Sequence, residues 1–187
     1  GMIEVDPLLE TIQILTPYAR GRRIGYIGTR NIGNSKKVPH HRDLLGVHYT
    51  DGQLVSNVAE WEQAFMRLQE TVDILIVFSL IGMEGWDRAQ AEKFIHAHTT
   101  IPTGSLANNT IRLTLVGKVK IGEEQGNWAG HTALKILSGT SPTDIPVAMN
   151  QYSRIYLNMK LAQRLGIRFP MELIEKATLI EELPESE

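Results

Sequence analysis

The sequence predicts an α/β fold, a doubly wound and mainly parallel sheet with helices on both faces. Three observations predict it. The run VDILIVFSL at 72–80 is almost continuously apolar and rich in β-branched residues, which suits a strand buried on both faces. Strand-like and helix-like stretches alternate along most of the chain. The first clear strand, RIGYIG at 23–28, breaks into the polar glycine and asparagine loop TRNIGNS at 29–35, the pattern of a strand-to-helix turn.

Each element follows from its local pattern. Residues 6–16 read as an amphipathic helix with Asp6 as cap, Pro7 at the first helical position, and Leu8, Leu9, Ile12 and Leu15 on one face. After the strand at 23–28, residues 36–46 are ambiguous, because Pro39 permits only a helix that starts near it. VHYTDGQLV at 47–55 alternates like a strand, and Asp51-Gly52 leaves a hairpin open. Residues 57–71 are the clearest helix: Asn57 and Glu60 have capping-box spacing, and Val58, Trp61, Phe65 and Leu68 form one stripe. A helix at 87–98 is capped by Asp87, and strands are expected at 101–106 and 111–121. A helix at 126–139 ends on Gly139, followed by a linker at 141–146. The pattern then gives a strand at 152–157, a helix at 159–166 and a helix at 170–177. One domain at 3–180 and a flexible acidic tail at 181–187 are expected.

Composition excludes several function classes. The 187 residues carry a formal net charge of -2, with a pI near 6.3, so no basic field favours nucleic acid or a membrane surface. There is no cysteine, hence no thiolate metal site and no cysteine catalysis. The close histidine pairs, His40-His41 and His96-x-His98, lack the spacing of a zinc site, and no metal or cofactor is expected. No nucleophile elbow, P-loop or dinucleotide fingerprint is present, so the chain does not read as an enzyme. No basic-then-apolar signal segment is seen, and Gly1 before Met2 reads as a residue left by a removed tag.

The stretch from Asn127 to Ile180 holds a multi-part pattern. Lys135-Ile136-Leu137, Gly139, Pro142, Asp144-Ile145-Pro146-Val147, Leu157-Asn158, Leu165-Gly166-Ile167 and Pro170 stand in register with the closing segment of a known family. The chain resembles the C-terminal lobe of an ABC-transporter substrate-binding protein of the tryptophan/tyrosine-transporter type, a type I-like periplasmic binding protein. Asn34-Ser35, Val72-Asp73 and Ile101-Pro102 continue the resemblance more weakly. It implies a flavodoxin-like lobe that binds a solute between two lobes, with the N-terminal lobe absent here. It implies a periplasmic or extracytoplasmic setting and a transporter permease as partner. The loops after the strands depart from the family: Ser79-Leu80-Ile81 replaces Thr-Asp-Asn, and Lys120-Ile121-Gly122-Glu123 replaces a G-x-D-Y pattern.

Ligands of open α/β sheets bind at the carboxyl ends of the strands. Three loops therefore supply the candidate ligand-binding residues. The first offers Thr29, Arg30, Asn31, Asn34 and Ser35 at a helix start, which suits carboxylate or phosphate oxygens. The second offers Phe78 as an aromatic wall and Ser79 as a hydroxyl, and the third offers Ser105 and Asn108. The expected partner is a small molecule, with carboxylate-bearing ones the best match. The helix at 126–138 generally packs on the other lobe in the resembling proteins, so a homo-oligomer through this helix, or a truncated chain, is expected. Two other classes stay open: an interaction lobe that has lost its ligand, and an enzyme on a flavodoxin-like scaffold.

Overall fold

A computed structural model describes residues 1–181. The last of these, Glu181, opens the acidic tail expected at 181–187; the rest of that tail lies outside the described residues. A seven-stranded sheet organises the chain, in the order β3-β2-β4-β5-β6-β8-β9. Its strands are β2 (Ile24–Thr29), β3 (Asp51–Val55), β4 (Ile74–Val77), β5 (Thr103–Ser105), β6 (Val116–Lys120), β8 (Ser153–Asn158) and β9 (Ala177–Ile180). All neighbours pair in parallel except β6 with β8. β1 (Met2–Ile3) and β7 (Ala148–Met149) form a separate parallel ribbon. The predicted doubly wound α/β fold is what the structure has.

The helices are α1 (Leu8–Leu15), α2 (Ile32–Leu45), α3 (Val58–Thr71), α4 (Arg88–His98), α5 (Gly122–Leu137), α6 (Met159–Leu165) and α7 (Met171–Ile174). All four residues of β4 are buried, so packed layers cover both of its faces. Trp61, Ala64, Phe65 and Leu68 of α3 are buried, and Trp61 meets Trp86 edge to face and Phe94 at a tilt. On α1 the buried stripe is Leu8, Thr11 and Leu15, whereas Leu9 is exposed. Gly104 of β5 admits this close approach, because a Cβ there would stand 2.8 Å from Thr11 and 2.9 Å from Leu15.

Several elements differ from the sequence reading. The helix at 36–46 begins earlier and runs through Pro39: Asn31 caps its start, accepting from the Asn34 amide at 2.8 Å, and left-handed Gly46 closes its end. With both ends secured, α2 tolerates the backbone bond that Pro39 cannot make. Asp51-Gly52 makes no hairpin; Gly52 sits inside β3, where a Cβ would collide with the Tyr26 ring. Residues 108–113 form a 3-10 turn, so β6 starts only at Val116. Residues 177–180 form an edge strand, which cuts the last predicted helix to one turn. Asp6 does not cap α1 with its side chain; it is drawn into a buried ion network instead.

The chain leaves this sheet and returns to it. Residues 2–6 lead in toward α1, the segment after β6 departs at Ile121, and the chain comes back at β8. Between the last two lies α5, which buries none of its side chains. Leu134 and Leu137 are exposed, as are Val147, Met149 and Tyr152 on the return path.

Candidate functional site

The strand order changes direction at β2, which has β3 on one side and β4 on the other. The crevice between the carboxyl ends of β2 and β4 is therefore the topological switch point, where open α/β sheets bind ligands. Asn34 is the brace of this crevice. Its side chain is buried, and its Nδ2 donates to the Thr29 carbonyl and to the Ser79 carbonyl, each at 2.8 Å. Gly28 makes room for it, since a Cβ there would lie 2.7 Å from the Phe78 Cβ and 3.0 Å from Asn34 Nδ2.

Two depressions flank Ser79. The first, of about 400 Å3, is lined by Asn31, Asn34 and Ser79 together with Lys37, Lys120 and Asp6. The second, of about 440 Å3, is lined by Ile81, Trp86, Arg88, Asn108, Asn109 and Arg112. Ser79 joins them: its hydroxyl oxygen accepts from Asn109 Nδ2 at 3.3 Å and from the Ile81 amide at 3.3 Å. The first depression is polar and lined by charges of both signs, Lys36, Lys37 and Lys120 with Glu4 and Asp6. The second sets an indole and aliphatic carbons beside two guanidinium groups and two amides.

The structure brings Asn31, Asn34, Ser79 and Asn108 to these depressions. It uses the other five candidates differently. Phe78 is not a cleft wall; its ring is buried, stacked on Tyr26 at 5.2 Å and edge-on to Tyr49 and His41. Ser105 is buried and bonds to Thr110 Oγ1 at 2.6 Å and to the Ala107 carbonyl at 2.9 Å, so it holds its own turn. Arg30 reaches toward β3 and donates to the Leu54 carbonyl at 2.9 Å. Ser35 turns its hydroxyl back to the Asn31 carbonyl. Thr29 is buried at the end of β2, and its hydroxyl has no hydrogen-bond partner among the described residues.

Sequence reasoning missed the charged lining. Asp6 is buried, and its carboxylate is held by three side chains. Lys37 Nζ and His41 Nε2 reach one carboxylate oxygen, the latter at 3.2 Å, and Lys120 Nζ lies 3.1 Å from the other. Tyr49 closes the chain with its hydroxyl 2.7 Å from His41 Nδ1. Burial works against the Asp6 charge, but the His41 hydrogen bond and the two ammonium groups outweigh it and hold the carboxyl well below the usual carboxylate range. Burial, followed by the Asp6 charge, pushes the Tyr49 hydroxyl up, so it keeps its proton. Each ring nitrogen of His41 thus has one partner, Nδ1 the Tyr49 hydroxyl and Nε2 the Asp6 carboxylate. These groups are scattered through the sequence, and only the adjacency of Asp6 to a helix start hinted that it was special. Among the described residues no group of three or more acidic or histidine side chains could hold a metal ion.

The closing segment of the chain carries the decisive likeness. Residues 110–180 match the ABC transporter substrate binding protein family. The resemblance read at 127–180 lies within that match. The structure explains part of its motif in physical terms: Asn158 caps α6 through the Leu161 amide at 3.1 Å and donates to the Arg112 carbonyl at 2.9 Å, while left-handed Gly166 ends that helix. Solved structures agree in fold. A ligand-free, open substrate binding protein with adhesive properties from Clostridium difficile is 23% identical with a TM-score of 0.69, over 97% of this chain and 62% of that one. An ABC domain in complex with L-Trp from Streptococcus pneumonia is 21% identical with a TM-score of 0.60, over 96% and 63%. A conserved domain protein from Vibrio cholerae is 17% identical with a TM-score of 0.59, over 96% and 62%. The chain thus spans less than two thirds of the length of these three structures. No curated protein matches it in sequence.

Proposed function

We propose that the chain is the C-terminal lobe of an ABC-type solute-binding protein and recognises a small molecule at the carboxyl ends of β2, β4 and β5. One observation carries this reading: loops from all three strands meet at Ser79 and form two adjoining depressions at the switch point. The compartment with the three lysines suits a carboxylate, and the compartment beside Trp86 suits an apolar or aromatic body. The Streptococcus pneumonia relative is in complex with L-Trp, which makes amino acids the first molecules to test.

A second lobe is the partner proposed for α5 and for the crossover segments, the three stretches by which the chain enters, leaves and rejoins the sheet. The chain alone pairs with another copy through the same exposed side chains. A transporter permease and an extracytoplasmic setting belong to the same reading. Nothing in the two depressions calls for turnover, so the proposed role is binding and release.

A ligand-induced thermal shift screen of amino acids and small carboxylates tests the proposal. At least one compound raises the melting temperature in a concentration-dependent way, and Trp86→Ala reduces that rise. A flat response across the panel, or a rise that Trp86→Ala leaves unchanged, contradicts it.

A further inference from the structure

The charged network beneath the first depression does more than line it. Asp6 belongs to the lead-in segment that follows β1, and Lys120 is the last residue before the chain departs toward α5. Their ion pair at 3.1 Å therefore joins two of the three crossovers, and Glu4 adds a second contact to Lys120 at 2.9 Å. The third crossover is laced to the others by side chains. The Val5 amide donates to Asn150 Oδ1 at 2.6 Å, and Asn150 Nδ2 donates back to the Val5 carbonyl at 3.2 Å. Glu124 accepts from the Gln151 and Tyr152 amides at 2.7 and 3.0 Å. These segments carry few backbone bonds of their own, since the β1-β7 ribbon is only two residues long.

The same carboxylate grips α2. Lys37 and His41 are one turn apart on one face of that helix, and both reach Asp6. Asn34 lies one turn before Lys37 and braces the switch-point crevice. The path from the crossovers to the crevice thus runs through Asp6, Lys37 and Asn34, with each step a direct bond or a single helical turn. His41 is fully buried and backed by Tyr49, so it fixes the carboxylate from below.

We propose that Asp6 is a latch that couples the crossover segments to the ligand-facing end of α2. The ligand-facing role of α2 rests on the binding reading above. An anionic group in the depression competes with Asp6 for Lys37 and Lys120. Drawing those ammonium groups away frees the crossovers to move, and by linkage a movement of the crossovers alters the affinity of the depression for the anion. His41 and Tyr49 are positioning residues: they act through Asp6.

Hydrogen exchange on the full chain without ligand tests the latch separately from the binding reading. In Asp6→Asn the amides of Val5, Gln151 and Tyr152 exchange faster by about ten-fold or more, and those of Asn34 and Ser35 accelerate with them. The amides of Ile76 and Val77 in β4 keep their protection. Tyr49→Phe, which removes one hydroxyl and keeps the ring, gives the same pattern at smaller amplitude, and it serves if Asp6→Asn does not fold. Faster exchange at the crossovers alone, no change at either end, or a uniform loss that includes β4 overturns the proposal. A latch that passes this test while no small molecule binds would refute the binding reading and leave the mechanical link standing.

Discussion

Asn34 and Thr29 stand side by side at the switch point with opposite energetic roles. Asn34 fills two carbonyl partners from a buried position. Replacing it with alanine strips both carbonyls of a donor, and Asn34→Ala lowers stability by about 1–3 kcal/mol in chemical denaturation. Thr29 has a buried hydroxyl with no hydrogen-bond partner among the described residues. Thr29→Val keeps the shape and removes a desolvated hydroxyl, so stability holds or rises by up to about 1 kcal/mol. Asp6 makes its own prediction in pH. Its folded pKa is depressed from an ordinary 3.8, so its stabilisation is complete above that value and is lost as pH falls below it. Lys37 and His41 on α2, Lys120 at the end of β6, Tyr49 and Glu4 are the titratable groups around it. The gap in stability between the wild type and Asp6→Asn therefore closes as pH falls below about 4. A gap that instead widens below pH 4 contradicts the assignment.

Elements were legible where periodicity and caps agreed. Asn57 and Glu60 announced α3, and the structure adds only that Glu60 returns its bond to the Ser56 amide at 2.8 Å. The apolar run at 72–80 announced β4, since a strand buried on both faces needs no alternation. Elements were illegible where a local rule lost to a tertiary one. Pro39 speaks against a helix interior, yet the Asn31 cap and the Gly46 stop carry α2 through it. Pro39→Ala consequently restores a donor worth roughly 3 kcal/mol in helix propensity, less about 1 kcal/mol of lost restriction on the unfolded chain. A net gain of about 1–2 kcal/mol in denaturant unfolding is expected. The lining of the two depressions was half legible for a related reason. Asn31, Asn34, Ser79 and Asn108 announced themselves as polar residues after strands. Phe78 and Ser105 stand at the same strand ends, but Phe78 is drawn into the ring cluster with Tyr26, Tyr49 and His41, and Ser105 into its own turn with Thr110 and Ala107. Lys37, Lys120 and Asp6 come from three separate elements, and no local pattern unites them.

The whole molecule combines a well-covered open sheet with one uncovered helix, α5. Of the motif residues that carry the family likeness, Asn158 and Gly166 set α6, whereas Leu137 of α5 faces solvent beside Leu134. The loops that line the two depressions are where the sequence departs from the pattern it resembles. Exposed leucines on a helix with no buried side chain form a sticky surface. Sedimentation of the chain alone is expected to show concentration-dependent pairing, which Leu134→Lys with Leu137→Lys abolishes without changing the melting temperature. A monomer at all concentrations removes the pairing from the account and leaves the ligand site untouched. That site is best tested by an NMR titration of the isotope-labelled chain with L-tryptophan and then the other amino acids. The account predicts that at least one of them moves the amides of Asn31, Asn34, Ser79 to Gly82 and Asn108 to Asn109 saturably, while those of α6 and α7 stay fixed. No saturable shift with any amino acid, or shifts that map away from the ends of β2, β4 and β5, would contradict it.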